Sequence, residues 1–188
     1  GSSYANLDPK IAAGYFEGAI NLPNNIDKVD TANRYSDFAS RLPKSDLMNS
    51  DPKFVTEQVD KASEYQRKIS AEVKNEPLLW LRLANDELMS SFIHGKTLGK
   101  DNEISINKAI ALAPKRVELL QFLLQVKGYE SDWVGASVVA EQIVKLNPYR
   151  PELHWQLSLA YELSGKTELA VKEAEQAFSE GYKLRGVK

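Results

Sequence analysis

Cysteine is absent from the 188 residues. That excludes a disulfide framework, a thiolate metal site and a cysteine nucleophile. It also leaves the compartment open, since a cysteine-free chain suits the cytoplasm and an exported space alike. Charge of one sign is not in excess either: 24 basic against 26 acidic side chains give a formal net charge of −2, without the basic surplus by which nucleic-acid binders are recognised. No apolar run reaches the ~18 to 20 residues that a membrane helix needs. Strand signals are scarce, with no sustained period-2 alternation and no Asn-Gly or Asp-Gly hairpin turn. The two histidines, His94 and His154, belong to no His-x3-His or Glu-x-x-His pattern, so the usual metal-ligand spacing is missing. Gly-x-Ser-x-Gly is absent, which removes the hydrolase elbow. Gly95-Lys96-Thr97 ends like a phosphate loop, but the upstream glycine place is Ser90 and no strand precedes it. No catalytic residue, cofactor or metal can be assigned from these patterns, and the chain reads as a non-enzyme.

What is present is helical periodicity. Hydrophobic residues at 43% and charged residues at 27% are the proportions of a globular chain with a core of its own. Gly1–Ser3 reads as a cloning scar, so the lack of a leader or membrane segment describes a piece cut from something longer. Asp8-Pro9 and Asp51-Pro52 are helix starts, an N-cap carboxylate followed by proline at the first helical place. They open helices from Pro9 to about Ile20 and from Pro52 to about Lys74, with a helix over about Ile26–Leu42 between them. Val55, Val59, Ala62, Ile69 and Val73 form one stripe of the long helix. From Leu78 onward, helices follow over about 78–92, 104–112, 117–126, 132–146, 151–164 and 167–178. They are punctuated by Gly95 to Asp101, Pro114, Gly128, Pro148 and Gly165. The count is about nine.

Pro114 and Pro148 close similar phrases, Ala109-Ile110-Ala111-Leu112-Ala113-Pro114 and Ile143-Val144-Lys145-Leu146-Asn147-Pro148, 34 positions apart. The same offset reaches Tyr182. A 34-residue period in paired helices resembles the tetratricopeptide repeat. Residues 77–116 supply Trp80, Leu83, Ala84, Ala109 and Pro114, with an insertion around Gly95 to Asp101 and Asn102 where a small alanine is usual. Residues 117–150 supply Leu120, Leu123, Trp133, Ala136, Ala140 and Pro148. Residues 151–184 supply Leu157, Ser158, Tyr161, Gly165, Ala170, Ala174 and Ala177, with Tyr182 in place of the final proline. The resemblance implies an all-α superhelix of antiparallel helix pairs, in which small alanines let helices approach and no unit buries its own apolar face. Residues 4–76 are expected to form an N-terminal helical extension. It would hold a degenerate unit at 9–43, where Ala32 and Ala39 precede Pro43, and a long helix at 52–74 that packs on the Trp80 helix. A tail follows the third unit.

The order of elements, with Ala-Ile-Ala-Leu-Ala-Pro-Lys-Arg at 109–116 and Leu-Asn-Pro-Tyr-Arg-Pro-Glu at 146–152, also resembles the soluble C-terminal tail of bacterial O-antigen ligase or polymerase-type membrane proteins. That resemblance implies an extracytoplasmic accessory domain of a glycan-assembly protein, with no catalytic residue on this chain. The repeat resemblance implies instead a protein-interaction scaffold. By its register Leu81, Asn85, Gln121, Gln125, Trp155 and Leu159 line the concave groove. The family's carboxylate clamp uses lysine, arginine and asparagine at these places, and only Asn85 matches it. The groove is therefore neutral, amidic and partly apolar, suited to a protein or peptide segment, with glycan contact as a lesser reading. Trp80 and Trp133 occupy core places. Trp155 is either a groove anchor or a contact with a neighbouring helix. The acidic residues, among them Asn85-Asp86-Glu87 and Glu173 with Glu175, read as solvated helix faces.

Overall fold

Helix-start chemistry operates where the sequence places it. The computed structural model describes residues 8–22, 27–96 and 100–183. The scar at 1–3, the segment 23–26 and residues 184–188, with the expected tail, lie outside the described residues. Among those described there are ten α-helices, one 3-10 turn and no strand. They fall into two compact units that divide between positions 97 and 98, within the stretch 77–116 expected to form the first repeat.

In the first unit α1 (Pro9–Ile20) begins on Asp8, whose side chain accepts from the Lys10 amide, with Pro9 in the first turn. Asp27 caps α2 (Lys28–Ala39) through the Asp30 amide. A 3-10 turn at Leu42–Lys44 and a single helical turn, α3 (Leu47–Ser50), connect it to the long helix. Four residues are too few to show a period, which is why α3 leaves no sequence signal. Asp51 caps α4 (Pro52–Glu72) by accepting from the Phe54 amide, and Glu76 caps α5 (Pro77–Ile93). Val55, Val59, Ala62 and Ile69 are buried along α4, but Val73 is not. It sits at the C-cap, where the backbone has left the helix and the stripe ends.

α4 packs on α5 and on α2, and α1 packs on α2. One core cluster joins Phe16, Tyr35, Ala39, Val59 and Ala62; a second joins Ala32, Tyr65, Ile69 and Leu79. The Phe16 and Tyr35 rings stack at 5.1 Å. Trp80 is 8% exposed, and its indole N–H donates to the Lys74 carbonyl at 2.9 Å, so its polar edge is satisfied as burial demands.

The second unit runs α6 (Lys100–Leu112), α7 (Val117–Tyr129), α8 (Trp133–Leu146), α9 (Pro151–Leu163) and α10 (Thr167–Ser179). Each packs on the next in chain order, the arrangement of stacked antiparallel pairs. Small residues sit where helices meet: Ala136, Ala140, Ala160, Ala170 and Ala177 are all buried. Gly165, at φ 80, ends α9 in the left-handed conformation. The Lys166 amide then reaches the Tyr161 carbonyl and the Gly165 amide that of Glu162, the Schellman closure. The place 34 residues earlier is Ser131. It makes the same two bonds, from the Asp132 amide to Lys127 and from Ser131 to Gly128, at φ 57 without being glycine. Lys127 reinforces this turn: its ammonium pairs with Glu103 of α6 and with Asp132, with Glu130 beside it.

Candidate interaction surface

α7 and α9 are the first helices of their pairs, and their buried side is set by leucines. Leu119, Leu120, Leu123 and Val126 of α7 and Leu153, Leu157, Ala160 and Tyr161 of α9 face the core. The helical period turns the intervening places outward. Gln121 and Gln125 lie one turn apart on α7, and Trp155 and Leu159 lie at the matching places on α9. Gln121 is half-buried, Gln125 is exposed and donates to the Tyr129 hydroxyl at 3.0 Å, and Leu159 is 45% exposed.

Trp155 is half-buried. Its ring stacks on Tyr182 at 5.3 Å with an interplanar angle of 19°, and meets Phe178 of α10 at 5.5 Å and 55°. One face of the indole is thus covered by the end of its own repeat. Leu81 and Asn85 lie one turn apart on α5, in the first unit, and both are half-buried.

The next-door histidine is buried. His154 is 4% exposed. Its Nδ1 lies 2.6 Å from Glu173 Oε2 and its Nε2 lies 2.9 Å from the Pro148 carbonyl oxygen. Carboxylate and carbonyl both accept, so both ring nitrogens must donate, and the ring is an imidazolium. Burial pulls its pKa down. The hydrogen bonds to Glu173 and Pro148, with the charges of Glu173 and Glu180, more than offset that and raise it overall. His154 therefore tethers α9 to α10 and to the preceding turn, at the place the repeat usually gives to an aromatic.

Two acidic residues expected on solvated faces are not there. Glu173 is the partner of His154. Asp86 is 4% exposed, on the side of α5 that meets α2. The Ser36 hydroxyl lies 2.6 Å from Asp86 Oδ2 and 3.3 Å from Gln66 Oε1, while Gln66 and Ser70 both donate to the Leu79 carbonyl. Burial pushes the Asp86 carboxyl up to about 7, against the opposing pull of Ser36 and Arg82. A hydroxyl has one proton for two acceptors here; a protonated Asp86 supplies the second. Three charged or amide residues in a row on a helix cannot reveal this, because the period turns the middle one inward. A single-turn view of Asn85-Asp86-Glu87 beside the buried Leu83 and Leu79 holds the only hint.

Ser90 and His94 both bond Asp60, at 2.8 and 2.9 Å. The serine meets the carboxylate and not the imidazole, so this is no nucleophile–base pair. Among the described residues no group of three or more His, Asp or Glu is placed to hold a metal ion, and no helix is long and apolar enough to cross a membrane.

No family model matches the chain, and no curated protein does. Solved structures do. A crystal structure of MamA superposes with a TM-score of 0.56 at 21% identity, covering 92% of this chain and 92% of that one. A crystal structure of MamA protein gives 0.56 at 21% identity over 98% of this chain and 96% of that one. The structure of MamA 41-end from Desulfovibrio magneticus RS-1 gives 0.56 at 17% identity over 82% and 76%. The fold is all-α and tetratricopeptide-like. At these identities the likeness speaks for the fold, and the O-antigen ligase resemblance receives no support from it.

Proposed function

We propose that this chain is a non-catalytic interaction scaffold that takes a protein or peptide segment along the face made by α7 and α9. The observation that carries this is positional: Gln121 and Gln125 on α7, and Trp155 and Leu159 on α9, stand at corresponding repeat places. They remain partly or largely accessible while Leu123 and Leu157 between them are buried. The mixture of amide, aromatic and aliphatic groups suits an extended backbone with a few apolar side chains. A fold of stacked helix pairs suits a scaffold role, and the repeats 117–150 and 151–184 would supply its frame, with 77–116 as the repeat before them in sequence. Leu81 and Asn85 are the corresponding pair of that earlier unit.

The test is site-specific photocrosslinking in the intact chain. A photoreactive residue at Gln125 or Leu159 should trap a protein partner that the same residue at Glu175, on α10, does not. Equal yields at all three places would remove the assignment. The alternative, an extracytoplasmic domain of an O-antigen ligase or polymerase-type protein, rests on the phrases at 109–116 and 146–152. A parent gene with a series of hydrophobic spans upstream would favour it.

A further inference from the structure

The turns leading into α7 and α9 share a second feature. Arg116 and Arg150 hold the N-cap places of these helices, 34 positions apart, and neither helix end carries a side-chain cap. Each helix has the ordinary first-turn anion, Glu118 or Glu152, but its cap place holds a cation where Ser, Thr, Asp or Asn is usual. Both arginines line one cleft of about 560 Å³, with Lys115 beside them and the amides of Gln121 and Asn147 in its wall. Glu118 is the single carboxylate of that wall. It lies 3.6 Å from Arg116, and Glu152 lies 3.7 Å from Arg150, but all four side chains are at least 41% exposed. Contacts of that kind are weak, so an incoming carboxylate can compete for the guanidinium groups. Lys115, Arg116 and Arg150 against Glu118, with Glu152 beside Arg150, leave the cleft with one positive charge in excess on a chain whose net charge is −2.

We propose that this cleft binds the carboxylate side chains of an acidic protein segment, held between the turns that precede α7 and α9. Guanidinium groups offer paired donors that match a carboxylate. The inference rests on the interaction reading above and adds the partner's charge, since Gln121 belongs to both the α7–α9 face and the cleft. The turn end would take acidic side chains while Gln125, Trp155 and Leu159 meet the remainder of the segment.

The experiment is fluorescence anisotropy on the intact chain with a labelled hexaglutamate peptide, a hexalysine peptide of equal length and a labelled oligothymidine. Hexaglutamate should bind, hexalysine should not, and the affinity should fall by about tenfold or more when salt rises from about 20 to 200 mM. The double variant R116Q/R150Q should lose about tenfold or more, with an unchanged melting temperature because both side chains are exposed. K115Q should weaken binding to a smaller degree. If hexaglutamate does not bind, if the double variant binds it as wild type does, or if oligothymidine binds through the same arginines and hexaglutamate does not, the proposal is overturned. Should the peptide fail while crosslinks at Gln125 persist, the charge assignment falls and the scaffold reading stands. Crosslinks lost while hexaglutamate still binds through Arg116 and Arg150 would leave the cleft in place and remove the α7–α9 face.

Discussion

Replacing Asp86 by asparagine should stabilise the protein above neutral pH and change it little in mild acid. Asparagine keeps the shape and offers an N–H that donates to the Ser36 oxygen in place of the carboxyl proton, and it has no charge to bury. The folded carboxyl titrates at about 7 against an ordinary 3.8, so between these values the folded state binds more protons than the unfolded one. The slope of stability with pH then has the sign of unfolded minus folded protons, which is negative. Stability from this group is present below about 4, declines through the interval and is lost above about 7. At 1.36 kcal/mol for each tenfold change in proton affinity, the loss is about 4 kcal/mol. The carboxyl is buried, so solvent screening removes little of it. The assay is urea unfolding of wild type and Asp86→Asn at a series of pH values from 4 to 8.5. The wild type should fall relative to the variant by several kcal/mol across the interval, and the difference should be flat above pH 8. The other carboxylates cancel in that difference. Parallel curves, or a variant less stable at pH 8 than the wild type, would show that Asp86 is ionised in the fold and that the buried proton does not exist.

Ala170→Leu should cost on the order of 1 to 3 kcal/mol, because Ala170 is packed among Ala140, Leu157, Ala160 and Tyr161; an unchanged melting temperature would refute the register of the last unit. Ser131→Gly should raise stability by about 0.5 to 1 kcal/mol, the left-handed penalty of a side chain less the added freedom of glycine when unfolded, and a drop in melting temperature would count against it. His154 should titrate above its ordinary 6.5: its stabilisation is complete below that value and lost as pH rises through the higher folded one, and a ring found by NMR to titrate at or below 6.5 would contradict the imidazolium. Trp155→Ala should cost about 1 to 3 kcal/mol of stability, from two aromatic pairs, and weaken partner binding by roughly 2 kcal/mol, read by unfolding and by crosslinking yield at Gln125.

Much of the fold was legible because the signals are local. An aspartate before a proline closes the first turn of a helix wherever it stands, and Asp8, Asp51 and their prolines do so. The 34-residue spacing of Pro114 and Pro148 and the small alanines between them are read directly from the chain. What was not legible depends on which residue meets which across helices. Asp86 looks like its neighbours Asn85 and Glu87, and only the packing of α5 on α2 decides that it is the inward one. His154 stands at a place the repeat usually gives to an aromatic, but Glu173 and Pro148, which make it an imidazolium, are named by no spacing rule. Arg116 and Arg150 were visible inside their phrases. Their meaning as a pair needed the two turns brought to one cleft.

Tyr182 ties these strands together. It stands where the repeat normally has proline, and proline there would present a small ring. A tyrosine instead lays a full aromatic face against Trp155, with Phe178 across the edge, while His154 on the same turn of α9 grips Glu173 of α10. The last repeat is thus closed by its own side chains: an apolar clamp on one side of α9 and a charged one on the other. Closure of this kind lowers the conformational freedom of Trp155 before any partner arrives, so less ordering remains to be done on binding. The same stacking leaves less indole surface for the partner to cover. A ligand anchored by Trp155 would therefore meet the face of the indole that Tyr182 does not take, with Leu159 exposed one turn further along α9.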